Sequence, residues 1–187
     1  MQKRTFDIFL SLIALILLGW LLLIIFISVS LSYRGKGIFL QQRVGRHGKL
    51  FAIFKFRTMH PETKKIGRFS QFLRDSKIDE MPQLINVLIG DMSFVGPRPD
   101  IPGYYDKLEG EARKILELRP GITSIASLKY KNEEAELAKQ NDPLRHNDEV
   151  LFPDKVRLNL DYYYRRTFRY DIKIIFWTVF GYNKTRL

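Results

Sequence analysis

Between Ile8 and Leu31 the chain runs for 24 residues without a charged side chain, and no other feature constrains its folding as strongly. As a helix rising about 1.5 Å per residue, such a run crosses a hydrocarbon core roughly 30 Å thick. It is too long for the apolar part of a cleavable signal peptide, and no small-residue cleavage site ends it. The flanks choose no orientation: Lys3 and Arg4 precede the run, and Arg34 and Lys36 follow it. Symmetric basic flanks suit a segment that enters and leaves by one face, and Gly19-Trp20 in the middle offers a place for a bend. On these residues alone, a straight span and a re-entrant hairpin both stay open.

At 187 residues there is room for one modest domain and an attached element. The chain contains no cysteine, which excludes disulfides and thiolate metal sites. Its three histidines, His47, His60 and His146, lack ligand spacing and argue against zinc. The formal charge of +11 is concentrated just after the apolar run: residues 32–77 carry twelve Lys or Arg against Glu62 and Asp75. That field suits anionic lipid, nucleic acid or a phosphate-rich substrate.

Ile38 to Val44 and Leu50 to Met59 read as strands around the turn Gly45-Arg46-His47-Gly48-Lys49. In the second, Leu50, Ala52, Phe54 and Phe56 alternate onto one side, and Phe51, Ile53, Lys55 and Arg57 onto the other. Lys55 and Arg57 thus point the same way, either as a pair gripping a phosphate or as a solvated strand edge. Phe69, Phe72 and Leu73 mark a short helical face ending near Arg74.

The stretch Ser76 to Pro102 is the richest in chemistry. Ser76 and Asp79 are N-cap types, Pro82 falls within a first turn, and Met81, Leu84, Ile85 and Leu88 keep helical spacing, so a helix is expected from about Glu80 to Ile89 with Gly90 as its stop. Gln83 and Asn86 share another face. The Asp79-Glu80 pair then lies at the electropositive helix end, where a carboxylate, a phosphate or a hydrated metal ion is favoured. Beyond it, Pro97 and Pro99 stiffen the backbone around Arg98, ready to present a guanidinium to an oxyanion. The plain alternatives are an N-cap, a first-turn acid and a stiff surface loop.

A helix is expected from Tyr104 to Leu118, stopped by Arg119-Pro120-Gly121. A short passage of apolar and small residues, Ile122 to Leu128, follows it. Asn132 to Gln140 reads as a short helix, and Asn141 to Pro153 as polar loop. From Lys155 to about Phe180 the chain reads as one long helix or two joined end to end. Its tyrosines, phenylalanines and Trp177 alternate with arginines, as in a helix lying in a membrane interface or in an aromatic-rich core.

In order along the chain stand Lys55-Phe56-Arg57-Thr58-Met59, Asp79-Glu80-Met81-Pro82-Gln83-Leu84, Asn86-Val87-Leu88 with Gly90-Asp91-Met92-Ser93, Val95-Gly96-Pro97-Arg98-Pro99, Arg119-Pro120-Gly121-Ile122-Thr123, and Asp171-Ile172-Lys173-Ile174. Together they resemble the bacterial sugar transferases, the monotopic polyprenyl-phosphate phosphoglycosyl transferases that begin assembly of surface glycans. The likeness covers nearly the whole chain, in what looks like the family's minimal form.

The resemblance implies an α+β, mostly helical monotopic membrane protein. Residues 1–34 would form a re-entrant membrane helix, preferred over a spanning one, although the family's usual Ser-Pro break is replaced here by Gly19-Trp20. Residues 35–187 would form a catalytic domain with a small β-hairpin and interfacial helices, on the cytoplasmic face of the bacterial inner membrane. The implied chemistry has two steps. Asp79 attacks the sugar-bearing phosphorus of a UDP-sugar and expels UMP, and polyprenyl (undecaprenyl) phosphate then takes the phosphosugar from the enzyme. Glu80 matches the family's ligand for magnesium (Mg2+). Lys55, Arg57 and Arg98, with Arg119 beside them, are the candidates for neutralising phosphate oxygens, and Gln83 and Asn86 are polar helix-face candidates. Expected partners are the UDP-sugar, the polyprenyl phosphate and membrane lipids, with a homo-oligomer allowed and no nucleic acid. The rival readings are a tethered binder of anionic lipid or nucleic acid, which leaves Asp79 and Glu80 without a task, and a membrane acyl or phospholipid transferase. No Walker loop, zinc motif or serine elbow supports another hydrolase.

Overall fold

The apolar run becomes part of a single helix, α1 (Gln2–Ser32), in a computed structural model that describes residues 2–181. α1 continues unbroken through Gly19 and Trp20, so the expected break at that pair is not present as an interruption of the helix. It is the described helix long and apolar enough to cross a membrane. Its middle shows Ile16, Leu17, Trp20 and Leu23 outward, as a lipid-facing surface would.

The chain divides into two units: one is formed by the chain up to Arg43 with Leu50–Met92, the other by Val44–Lys49 and the chain from Ser93 onward. In the first, β1 (Ile38–Val44) and β2 (Leu50–Phe56) make the expected two-stranded hairpin, whose tip belongs to the second unit. The short helices α2 (Arg68–Asp75) and α3 (Gln83–Ile89) complete the first unit. Ile25, Val29 and Tyr33 of α1 and its exit bury against Phe56 and Leu73, with Ile38 and Ile78 packed alongside. The Tyr33 hydroxyl shares a 2.7 Å hydrogen bond with Ser70 Oγ of α2.

The other end of α1 is held by the same unit. The Arg4 guanidinium donates to Val87 O at 2.6 Å and to Leu88 O at 2.8 Å, so it covers carbonyls at the C-terminal end of α3, where a cation is favoured. Gly90 ends α3 in the left-handed region at φ 104°, and both Gly90 N and Met92 N donate to Asn86 O.

α3 starts three residues later than expected. Lys77 takes a left-handed conformation, Ile78–Glu80 form a 3-10 turn, and Pro82 rather than Asp79 precedes the first helical residue. Neither Ser76 nor Asp79 caps α3 through its side chain; Ser76 instead ends α2, its Oγ donating to Phe72 O at 2.6 Å. The buried face is also different. Gln83, Leu84, Asn86 and Val87 point inward, while Ile85 is 41% exposed.

In the second unit, β3 (Ser93–Val95) pairs in parallel with β4 (Gly121–Thr123), Ser93 opposite Gly121 and Val95 opposite Thr123. The backbones touch at two glycines: a Cβ on Gly121 would lie 2.1 Å from Gly96 N, and one on Gly96 would lie 2.2 Å from Arg119 O. The expected helix over residues 104–118 is instead two 3-10 stretches, Tyr105–Lys107 and Gly110–Glu117, parted at Leu108. Tyr105, Ile115 and Leu116 still face a core with Val44.

Ser124 accepts from Ser127 N and caps α4 (Ile125–Lys129); α5 (Glu133–Leu137) follows as expected. The expected polar loop over residues 141–153 is helical: Asp142 caps α6 (Pro143–His146), and a π turn at Asn147–Leu151 leads into α7 (Phe152–Arg165). Asp142 and Pro143 are themselves a cap and an N1 residue, so the polarity of the stretch concealed a helix start. Thr167 caps α8 (Phe168–Phe180), so the C-terminal pattern resolves into two helices. Leu158, Tyr162, Ile174 and Trp177 form a core with Val95, Ile125 and Ala126, pinned by a 2.5 Å bond from Tyr162 O–H to Asp171 Oδ1. The opposite face of α8 leaves Phe168, Ile172, Phe176 and Phe180 exposed at helical spacing.

Candidate active site

The left-handed turn at Lys77 and the 3-10 segment after it swing Asp79 inward, so that its side chain is buried at 9% exposure. Its Oδ1 has no hydrogen-bond partner. Burial pushes the Asp79 carboxyl above the usual aspartate range, and the adjacent Glu80 adds to this, while Lys55, Lys77 and Arg74 pull the other way. A buried carboxylate with an uncommitted oxygen is costly as a structural element and apt as a reactive one.

Glu80 faces the opposite strand. Lys55 Nζ, on β2, lies 3.0 Å from Glu80 Oε1, and both side chains are about 16% exposed. Lys55, Asp79 and Glu80 therefore form one constellation: two carboxylates of consecutive residues and an ammonium delivered by the hairpin.

Arg57 does not join it as the second half of a phosphate grip. Its Nε donates to Lys36 O at 2.8 Å, its guanidinium lies 5.4 Å from the Phe39 ring centre, and its backbone N donates to Gly37 O. Strand alternation puts Lys55 and Arg57 on one side, but the start of β1 engages Arg57. Asn86 is wholly buried and also has a task of its own: Phe54 N donates to its Oδ1 at 3.0 Å, and its Nδ2 donates to Ala52 O at 2.8 Å. Gln83 is buried at the first turn of α3. Neither presents an open polar helix face.

Arg98 and Arg119 lie in the second unit. Buried Pro97 and Pro99 hold exposed Arg98 between them, and Pro97 O accepts from Gly121 N at 2.8 Å, so the loops carrying the two arginines are fixed to each other. The sequence does not single out Arg74 and Lys77, whose charges bear on Asp79, or Arg4, at the far end of α3. Arg4 reads there as a membrane flank, and the other two read as members of a basic run.

Among the described residues no three His, Cys, Asp or Glu converge as a metal cage. Magnesium is commonly bound by only one or two carboxylates, with phosphates and water completing its shell. Asp79, with its uncommitted oxygen, and Glu80 supply such a donor set.

A family model described as bacterial sugar transferase matches residues 1–185. An exopolysaccharide production protein PSS of Rhizobium leguminosarum bv. phaseoli is 33% identical, over 95% of this chain and 92% of that protein. An undecaprenyl-phosphate glucose phosphotransferase of Komagataeibacter xylinus is 33% identical over 96% of this chain, which spans only 35% of that protein's length. A putative undecaprenyl-phosphate N-acetylgalactosaminyl 1-phosphate transferase of Bacillus subtilis is 38% identical over 58% of this chain and 68% of that protein.

Proposed function

The chain belongs to the bacterial sugar transferase family, and we propose that it moves a sugar 1-phosphate from a UDP-sugar to undecaprenyl phosphate, with Asp79 as nucleophile. The names of two relatives support the acceptor, and they differ in the sugar. The observation that carries the residue assignment is the buried Asp79 carboxylate with an unpartnered oxygen beside the Lys55–Glu80 pair.

In the first step an Asp79 oxygen bonds to the sugar-bearing phosphorus as the bond from that phosphorus to the bridging oxygen breaks, and UMP leaves. In the second, a phosphate oxygen of undecaprenyl phosphate attacks the same phosphorus and the Asp79 carboxylate departs, giving undecaprenyl diphosphate-sugar. Burial favours the reaction by keeping water from the acyl phosphate. Magnesium held by Glu80 would shield the approach of one anion to another. Lys55 is the group beside Asp79 and Glu80 for neutralising phosphate oxygens, and Arg98 and Arg119 are proposed for the same task from their sequence motifs alone. Arg57 acts through the start of β1.

The reading includes a re-entrant α1 and a catalytic region on the cytoplasmic face, where nucleotide sugars are found. Its support is that one folded unit holds both ends of the helix, Arg4 against α3 and Tyr33 against α2. On this reading α1 bends within one leaflet while staying helical, so that both ends remain on one face of the membrane.

The test is UMP release from a panel of UDP-sugars by the protein in nanodiscs, with and without undecaprenyl phosphate. Turnover that needs the acceptor and is lost in Asp79→Ala supports the proposal and names the sugar. No release from any UDP-sugar by folded protein, with magnesium and acceptor present, overturns it.

A further inference from the structure

Glu80 cannot serve a cation fully while Oε1 is engaged by Lys55 at 3.0 Å. A phosphate cannot have the Lys55 ammonium to itself while that ammonium is engaged by Glu80. The pair is mostly buried, so solvent screens it less than a surface ion pair, and breaking it without replacement leaves a half-desolvated ammonium and takes one contact from Glu80. Each charge has one evident replacement: a divalent cation for the carboxylate, and substrate phosphate for the ammonium. Lysine suits such an exchange, being a compact point charge on a flexible stem with three rotatable donors. The neighbouring carboxylate is already placed to share the incoming cation, since Asp79 Oδ1 has no partner.

We propose that Lys55 is the resident counter-ion of Glu80, displaced when a divalent cation loads, so that one event frees the carboxylate and hands the ammonium to the nucleotide diphosphate. This rests on the reading of Glu80 as the cation ligand given above. Two consequences follow. The cation alone binds weakly, because it must displace Lys55 and then face an ammonium with no anion. Nucleotide strengthens cation binding by giving that ammonium a partner.

The experiment is a Mn2+ titration followed by electron paramagnetic resonance of free Mn2+, on the full chain in phosphatidylcholine nanodiscs, without and with UDP. Lys55→Met is expected to bind Mn2+ about tenfold tighter than the unmodified protein without UDP, and to gain less from UDP. Lys55→Arg, which keeps a cation on Glu80, is expected not to tighten it. Equal or weaker Mn2+ binding in Lys55→Met, with binding lost in Glu80→Gln, overturns the exchange while leaving Glu80 as ligand. Undiminished binding in Glu80→Gln instead removes the reading on which it rests.

A second measurement needs no variant. A carbodiimide joins a carboxylate to a contacting amine as an amide, and the Lys55–Glu80 cross-linked peptide is quantified by mass spectrometry. Mg2+ with UDP is expected to suppress the cross-link severalfold. A yield that Mg2+ and UDP leave unchanged overturns the proposal.

Discussion

Asn86 stands in for a missing strand against Phe54. Its amide oxygen accepts from Phe54 N and its amide nitrogen donates to Ala52 O, two groups on one edge of β2, so a single side chain closes a strand edge and joins α3 to the hairpin. Lys55 lies next along that strand, and Asp79 and Glu80 lie just before that helix. The spacing of ammonium and carboxylates therefore depends on Asn86.

Asn86→Asp is expected to lose the bond to Ala52 O and to oppose a buried charge to that carbonyl, destabilising the first unit by about 2–3 kcal/mol. Thermal unfolding in nanodiscs measures it. Asn86→Ala, which leaves both backbone groups unpaired, should fall in the same direction, and an unchanged melting temperature in both variants would refute the bracing role.

Asp79 is held in a place that disfavours its charge, so its replacement should cost activity and gain stability. With its carboxyl raised by burial, the folded state binds a proton more tightly than the unfolded chain, and the penalty is present above the folded value and relieved as pH falls toward 3.8. Asp79→Asn should therefore melt higher than the parent at pH 7, by about 2–4 °C for each kcal/mol recovered, with the gap narrowing on acidification. UMP release should be abolished. A variant that melts lower at pH 7 and shows no such narrowing contradicts this account.

Because the chain has no cysteine, single cysteines report sidedness cleanly. With both ends of α1 on one unit, Gln2→Cys and Lys64→Cys are expected to react with a membrane-impermeant maleimide from the same side, in inverted vesicles and not in right-side-out ones. Labelling from opposite sides would mean a crossing helix. Arg4→Met should cost about 1.5–3 kcal/mol through the two lost charge-assisted bonds.

The glycine crossing in the second unit tolerates no added atom on either side. Gly121→Ala would place a methyl 2.1 Å from Gly96 N and is expected to cost at least about 2–3 kcal/mol. Gly67→Ala, with open space around the added carbon, serves as the control and should melt within about 1 °C of the parent.

What could be read from the chain beforehand follows physical lines. The hairpin, α5, the stop at Gly90 and the C-terminal helices rest on periodicity and turn chemistry, and these local signals held. The start of α3 did not, because an acid pair followed by proline signals a helix entry equally well whether the first turn is α or a 3-10 segment set off by Lys77. Gln83 and Asn86 do share a face, yet β2 and not the helix decides that this face is buried. The β3–β4 pair has three residues per strand and joins segments far apart in sequence, leaving no pattern to find. Lys55 beside Asp79 and Glu80 required the hairpin to fold onto the turn, which strand alternation alone does not specify.

The hairpin tip has a consequence for the order in which the chain can be completed. Val44 N donates to Asp100 O, and Arg46 Nε donates to Glu117 O, so the tip between two early strands waits for partners made much later. On a ribosome, α1, both strands and the Asp79 turn emerge while the tip is still unsatisfied, and Asp79 is outside the exit tunnel before either Arg98 or Arg119 has left it. The tip is thus a delayed fastening in biogenesis, and a chain arrested before Glu117 would lack the acceptor for Arg46.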